Sequence, residues 1–238
     1  MSDDDPTPKT LADALAQVMR SGAPLNERLA AYAAHSRRLA PRVSEAYDAL
    51  VQRLQAVERG EIGPAVGEPM PDFILPDQDG RLVTLDALLQ QGPVVISINR
   101  GHWCPYCRLD LRALAAVHDD LERLGAQAVS IMPDRAQFTK QSIAANDVPF
   151  RILTDVDLSY SLLLDLVFWI GAELEALYQA AGLDLATYQG NGRSFLPMPA
   201  KFVVSQHGIV RARQIDADFR RRMEPQAVLA ALEALRRD

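Results

Sequence analysis

Apolar residues recur at helical spacing through the first part of the chain: Leu11, Leu15, Val18 and Met19, then Leu25, Leu29, Tyr32 and Ala33, then Val43, Tyr47, Leu50, Leu54 and Val57. A period near 3.6 puts each set on one helix face. Gly22, Pro24 and Pro41 divide the run into three helices ending near Glu58. Glycines and prolines then crowd together, marking a boundary near residue 63, and the pattern changes. "DFILPD" and "RLVTL" fit short strands joined by a turn at Asp77 to Gly80. The β-branched run Val94 to Asn99 predicts a central parallel strand buried on both faces. Leu109, Leu111, Leu114, Val117, Leu121 and Leu124 predict one helix ending at Gly125.

Beyond it, "AQAVSIM" reads as a strand, "RAQFTKQSIAAND" as a helix and "FRILTD" as a strand, which completes a βαβαβ alternation. Right-handed crossovers make that a parallel sheet. Val156 to Pro199 is less regular and reads as an insertion with one helix near Ala172 to Ala181; within it "SLLLDLVFWIG" is expected in the core. "AKFVVSQHGIVRARQI" predicts a hairpin turning at Gln206 to Gly208, and a closing helix runs from Pro225 to Arg237. The expected architecture is an α/β, thioredoxin-like domain over residues 63–238, a central mixed sheet flanked by helices, preceded by a helical extension over residues 1–62. That extension reads as an appendage that packs on the main domain or makes a homodimer contact, with no titratable constellation of its own.

With 48% hydrophobic residues, a chain of 238 can bury a full core. A net charge of −6 disfavours a nucleic-acid surface, which needs a basic face to release counterions. Arg220, Arg221 and Arg222 form the one dense basic run and read as a solvated turn before a helix. The acidic start "MSDDDPTP" lacks the layout of a secretory signal, and no apolar stretch reaches membrane-spanning length, so a cytoplasmic, reducing setting is expected.

The chain has two cysteines, Cys104 and Cys107, in "VVISINRGHWCPYCRLDLRAL". Two are too few for a secreted disulfide framework, and their closeness points to redox or metal chemistry. The strand-to-helix junction puts Cys104 at a helix N-terminus, where the dipole and free backbone N–H groups lower a thiol pKa. Cys104 is therefore the expected nucleophile. Cys107, one turn on and less exposed, is within bonding reach to resolve what forms on Cys104. Pro105 suits the first helical position. Trp103 and Tyr106 either pack on the sheet or shape a substrate groove. His102 either supports the thiolate when protonated or faces solvent. Of the nearby cations, Arg100 leaves the strand beside the site, whereas Arg108 is the one expected to face water. Zinc is disfavoured, since neither an HxxxH nor a second CxxC completes a ligand set, and no cofactor is expected. Pro199, just before a strand, occupies the slot that faces the CxxC in a thioredoxin-like fold, and a cis Met198–Pro199 bond is expected there.

From about Ala65 to Ile215 the chain resembles the AhpC/TSA branch of peroxiredoxin-like proteins, on "VGEPMPDFILPDQDGRLVTLDALL", "VVISINRGHWCPYC" and "MPAKFVVSQHGIV" in that order. The resemblance implies thiol-dependent reduction of hydrogen peroxide and alkyl hydroperoxides. Cys104 would be the peroxidatic residue, and a thioredoxin- or glutaredoxin-type dithiol the reductant. The chain departs from the usual PxxxTxxC pattern, which would put proline at Ser97 and threonine or serine at Gly101. The arginine that such proteins hold before the later strand falls at Pro199. Two groups that orient a hydroperoxide are thus missing unless Arg100 substitutes. CPYC is also similar to the glutaredoxin motif, and WCxxC to thioredoxin, which keeps a thiol-disulfide oxidoreductase or a redox-sensing module as alternatives.

Overall fold

The computed structural model describes residues 7–57, 62–192 and 194–237. The expected end of the third helix at Glu58, and the opening residues 1–6 of the acidic start, lie outside them.

Three helices come first: α1 (Leu11–Arg20), α2 (Leu25–Leu39) and α3 (Pro41–Ala56). Thr10 and Asp13 cap α1 reciprocally, each side chain accepting the other's backbone N–H. Pro41 opens α3, where its missing N–H is harmless. Helix α2 has Pro24 at its start and no local side-chain cap. Glu224, 199 residues after Leu25, accepts the Leu25 N–H at 2.9 Å and the Asn26 N–H at 2.7 Å. A carboxylate at that end satisfies orphan donors and complements the helix dipole.

Strands β1 (Ile74–Pro76) and β2 (Leu82–Thr84) form a small hairpin, followed by α4 (Leu85–Leu89). The main sheet holds β3 (Val94–Ile98), β4 (Gln127–Met132), β5 (Arg151–Thr154), β8 (Ala200–Val204) and β9 (Val210–Ile215), in the order β5-β4-β3-β8-β9. Strands β3, β4 and β5 are parallel, and β8 and β9 add on antiparallel, as the alternation and the hairpin pattern predict. Every residue of β3 is buried. Val94, Ile96 and Ile98 join one apolar cluster with α1, α2 and α3, whereas Val95 joins another with Leu111, Leu121 and Val228. The helical extension thus shares the main core.

The predicted helix after the cysteines is two: α5 (Pro105–Ala115) and α6 (His118–Arg123). The chain leaves helical geometry at Val117 (φ −110°, ψ 17°), which lets Leu121 turn into the core. Helix α7 (Ala136–Asn146) links β4 to β5. The insertion begins with a 3-10 turn (Val156–Leu158) and α8 (Ser159–Leu163). The hairpin of β6 (Val167–Trp169) and β7 (Phe195–Pro197) encloses α9 (Ala172–Ala180) and α10 (Leu185–Gln189). Within "SLLLDLVFWIG", Leu164, Leu166, Phe168 and Ile170 are buried, but Leu162, Leu163 and Trp169 are exposed, so only part of it is core. The strand alternation of β6 sends Trp169 outward. The closing helix α11 (Pro225–Leu235) stops before Arg237.

The expected cis bond is absent: Met198–Pro199 is trans. The chain runs directly from β7 into β8, and the Met198 N–H bonds the Leu166 carbonyl at 2.7 Å. An extended entry uses the trans form that X–Pro bonds favour. Pro199 is buried, and continuing the β3–β8 register past Ile98 and Ala200 sets it beside Asn99, where the chain leaves β3 for the cysteines.

Candidate active site

The segment from Arg100 to Cys104 crosses from the carboxyl end of β3 to the start of α5. Cys104 is the N-cap of α5 and Pro105 its first residue, and the Arg108 N–H bonds the Cys104 carbonyl at 3.1 Å. The Cys104 side chain makes no capping bond to the helix. Both sulfurs are fully buried, which corrects the expectation that Cys104 is the more exposed. The cover comes from the extension, the insertion and the loop before α11, which approach from far along the chain.

The closest charge to Cys104 is Arg100, whose Nη2 donates to the sulfur at 3.1 Å. Arg100 is itself 0% exposed. Its guanidinium carbon lies 3.7 Å from the Phe219 ring centroid, 5.4 Å from that of Trp103 and 5.9 Å from that of Tyr47. Aromatic faces attract a desolvated cation. Nε and Nη1 have no hydrogen-bond partner, and no carboxylate pairs with this arginine among the described residues. The Cys104 sulfur is therefore the anion nearest a buried cation.

Burial opposes ionisation of Cys104. A hydrogen bond from the Cys107 thiol, the charge and hydrogen bond of Arg100 and the charge of Arg222 overcome it and hold the Cys104 thiol well below its ordinary pKa. For Cys107, burial and the neighbouring Cys104 anion push the pKa well up, against Arg222 and Arg100. The pair is thus one thiolate and one thiol. Cys107 Sγ accepts the Arg100 backbone N–H at 3.3 Å and faces Arg222 Nη2 at 3.7 Å.

Arg222 overturns the reading of the basic run as a solvated turn. It is 5% exposed, its Nη1 donates to the Phe219 and Arg221 carbonyls, and its backbone exchanges hydrogen bonds with the Asn26 side chain. Arg220 is half-buried between Asp48 and Asp218, and Arg221 alone faces solvent. The physical reason is the α2 cap: Glu224 and Asn26 fasten this loop over the sulfurs. Tyr47 of α3 and Tyr178 of α9, their hydroxyls 3.0 Å apart, close another side. Tyr32 and Phe219 pack edge-on against Tyr106. The sequence pattern reads Tyr32 and Tyr47 as helix faces of the extension and singles out neither Tyr178 nor Phe219; only their convergence in space joins them to the site.

Trp103 is half-buried, edge-on to Tyr178, with its indole N–H unpartnered. Burial and Arg108 lower the His102 pKa, which removes the protonated imidazole as a thiolate support. Arg108 is half-buried and reaches Asn146 at 3.5 Å. Asp134, just past β4, accepts the His102 N–H at 2.6 Å. It follows the carboxyl end of the strand next to β3, a placement at which open α/β sheets gather site residues, and that was its sequence signal. An apolar cleft of 270 Å³ opens beside the cysteine loop, between Leu11, Leu15, Leu177 and Leu183, with Trp103 and Tyr178 on its inner side.

The sequence profile of the AhpC/TSA family matches residues 66–213, more than half of the chain. A bcp protein of Helicobacter pylori is 30% identical over 92 residues, 39% of this chain and 60% of its own length. The chloroplastic peroxiredoxin Q of Oryza sativa subsp. japonica is 30% identical over 89 residues, 37% and 41% of the two chains. The match thus spans less than two thirds of these relatives. Among solved structures, peroxidoxin BcpB from Mycobacterium tuberculosis superposes with a TM-score of 0.56 at 19% identity, covering 72% of this chain and 97% of its own. Xanthomonas campestris peroxiredoxin Q gives 0.51 at 19%, covering 68% and 90%. The superpositions share the thioredoxin-like fold, and with the profile spanning both cysteines, this chain belongs to the AhpC/TSA family.

Proposed function

We propose that the protein is a thiol-dependent peroxidase in which Cys104 is the attacking thiolate and Cys107 the resolving thiol. The observation that carries this reading is a wholly buried Cys104 sulfur 3.1 Å from the Arg100 guanidinium, a cation that favours its thiolate. A peroxide is small enough to enter such a site. A protein disulfide is not, which weighs against the thiol-disulfide oxidoreductase alternative.

In the first step the Cys104 thiolate attacks one peroxide oxygen; the S–O bond forms, the O–O bond breaks, and water or an alcohol leaves once its oxygen is protonated. Sulfenic acid on Cys104 carries no charge. The anion that raised the Cys107 pKa is then gone, while Arg222 and the Arg100 N–H remain, so Cys107 becomes the easier sulfur to ionise. Its attack forms the Cys104–Cys107 disulfide and releases water. Arg100 and Arg222 then face no thiolate, and leaving buried charge uncompensated loosens the cover. That opening is how an external dithiol of the thioredoxin or glutaredoxin kind reaches the disulfide. The apolar cleft receives the organic group of alkyl hydroperoxides. No helix among the described residues is long and apolar enough to cross a membrane. We place the protein in the cytoplasm and divide it into a 1–62 extension, whose helices α1 to α3 cover the site, and the 63–238 domain that holds it.

Rapid mixing of the reduced protein with hydrogen peroxide and an alkyl hydroperoxide tests the reading. Wild type should oxidise far faster than free cysteine, Cys104→Ser should not react, and Cys107→Ser should consume one equivalent and stop. Equal rates in all three would remove the assignment. Strong insulin reduction with negligible peroxide turnover would favour the alternative.

A further inference from the structure

Three buried polar atoms around the turn that leads into Cys104 have no protein partner: the Trp103 indole Nε1, Asp134 Oδ1 and His102 Nδ1. Buried polar groups are nearly always bonded, and exceptions mark strain, chemistry or a missing ligand. Two of these atoms flank Gly101. A Cβ at that position would lie 2.6 Å from Trp103 Nε1 and 2.7 Å from Asp134 Oδ1, closer than carbon tolerates. Gly101 also has φ +144°, which side chains rarely adopt. The family pattern would have a hydroxyl residue here; in this chain an indole donor and a carboxyl oxygen close on Gly101 in its place. Asp134 is fully buried, and its other oxygen is fixed by the His102 N–H at 2.6 Å. It lies within the electrostatic reach of Cys104.

We propose that Trp103 Nε1 and Asp134 form the oxygen-binding subsite next to Cys104, and that Asp134 delivers the proton to the oxygen that leaves the peroxide. This rests on the peroxidase reading above. As Cys104 sulfur bonds the terminal oxygen of ROOH, the O–O electrons pass to RO. The Asp134 O–H breaks toward that oxygen, giving ROH and an Asp134 carboxylate that regains its proton from water. The indole N–H donates to the same peroxide and orients it.

The protonation state required is the one the surroundings favour. Burial above all, and then the Cys104 anion, raise the Asp134 carboxyl against the lowering effect of the His102 N–H, and together they bring it up to about 7. Besides Cys104 and His102, the titratable group that bears on Asp134 is Tyr188 of α10; Thr154 of β5 donates its hydroxyl to the Asp134 carbonyl, and no lysine or arginine pairs with the carboxyl group among the described residues. A thiolate and a carboxylic acid therefore coexist near neutrality.

Two reactions of Cys104 separate this role from a structural one. Reaction with hydrogen peroxide needs a proton for the departing oxygen; alkylation by iodoacetamide, which expels iodide, does not. Asp134→Asn keeps an acceptor for the His102 N–H but cannot act as an acid. It should slow peroxide oxidation about a hundredfold near pH 6, a typical general-acid effect, and leave alkylation within a few-fold. The wild-type peroxide rate should fall as pH rises through about 7, where Asp134 loses its proton, and the variant should lack that fall. Trp103→Phe, which removes the N–H and keeps a ring, should also lower the peroxide rate more than the alkylation rate. Peroxide and alkylation rates that drop in parallel, or an Asp134→Asn variant as fast as wild type, would overturn the subsite and leave the peroxidase reading standing. A wild type no faster than free cysteine would overturn both.

Discussion

Removing the Cys104 sulfur should destabilise the protein, although it sits at the reactive centre, where truncation often relieves strain. Arg100 is completely buried, two of its three guanidinium nitrogens lack partners, and the anion beside it is the Cys104 thiolate at 3.1 Å. At an effective dielectric of about 20 a pair at roughly 4 Å is worth about 4 kcal/mol, and breaking a buried pair by deleting one partner costs about 3–5 kcal/mol. Phe219, stacked at 3.7 Å, recovers part of that for the stranded cation. Cys104→Ser should therefore lose about 3 kcal/mol in urea unfolding of the reduced protein near pH 8. Because the folded Cys104 pKa is depressed, its contribution is full above the unfolded pKa and disappears as pH falls through the folded one. The gap between wild type and Cys104→Ser should accordingly close on acidification. Adding Arg100→Met to Cys104→Ser should restore most of the loss. A variant as stable as wild type at pH 8, or a gap independent of pH, would refute the counter-ion argument.

Arg222→Met should slow disulfide closure more than the first step with peroxide, so that a sulfenic-acid trap captures more Cys104 product; unchanged trapping would contradict the role of Arg222 on Cys107. Ala181→Trp fills the rim of the 270 Å³ cleft from an exposed position and should lower the ratio of kcat/KM for a bulky alkyl hydroperoxide to that for hydrogen peroxide about tenfold, read by peroxide consumption with a recycling dithiol; an unchanged ratio would place the entry elsewhere. The fully buried Lys201–Asp110 pair, 2.7 Å apart and shared with the Ser97 hydroxyl, should behave as core structure. Lys201→Met alone should cost about 3–5 kcal/mol, and the double variant with Asp110→Leu much less, as melting curves would report.

The elements that build the sheet were legible because each depends on local pattern. The buried run of β3 is β-branched and apolar, Pro105 and Gly125 punctuate the helical stretch after it, and the hairpin turns at Gly208 with φ +77°. The Cys104–Cys107 spacing and the adjacent Arg100 were visible for the same reason. What stayed hidden depends on distance along the chain. Arg222 reads as a surface cation until Glu224 and Asn26 tie its loop to α2, and Tyr47 reads as a helix-face residue and Phe219 draws no notice until the chain folds both rings around Arg100. The helix dipole was expected to hold the thiolate; the charges that stand against it are Arg100, local in sequence, and Arg222, which the fold imports. The break after α5 escaped because Leu114, Val117 and Leu121 keep helical spacing across Ala116 and Val117, where the helix is interrupted.

The central claim is that Cys104 is ionised while buried because Arg100 stands against it. Titrating the thiolate ultraviolet absorbance of the reduced protein, with Cys107→Ser to isolate one sulfur and Arg100→Met to remove the cation, tests it directly. One thiolate ionised well below the ordinary thiol pKa in the Cys107→Ser background, shifted back up by Arg100→Met, is the predicted result. A Cys104 that stays protonated through neutrality, or a depressed value indifferent to Arg100, would contradict the account.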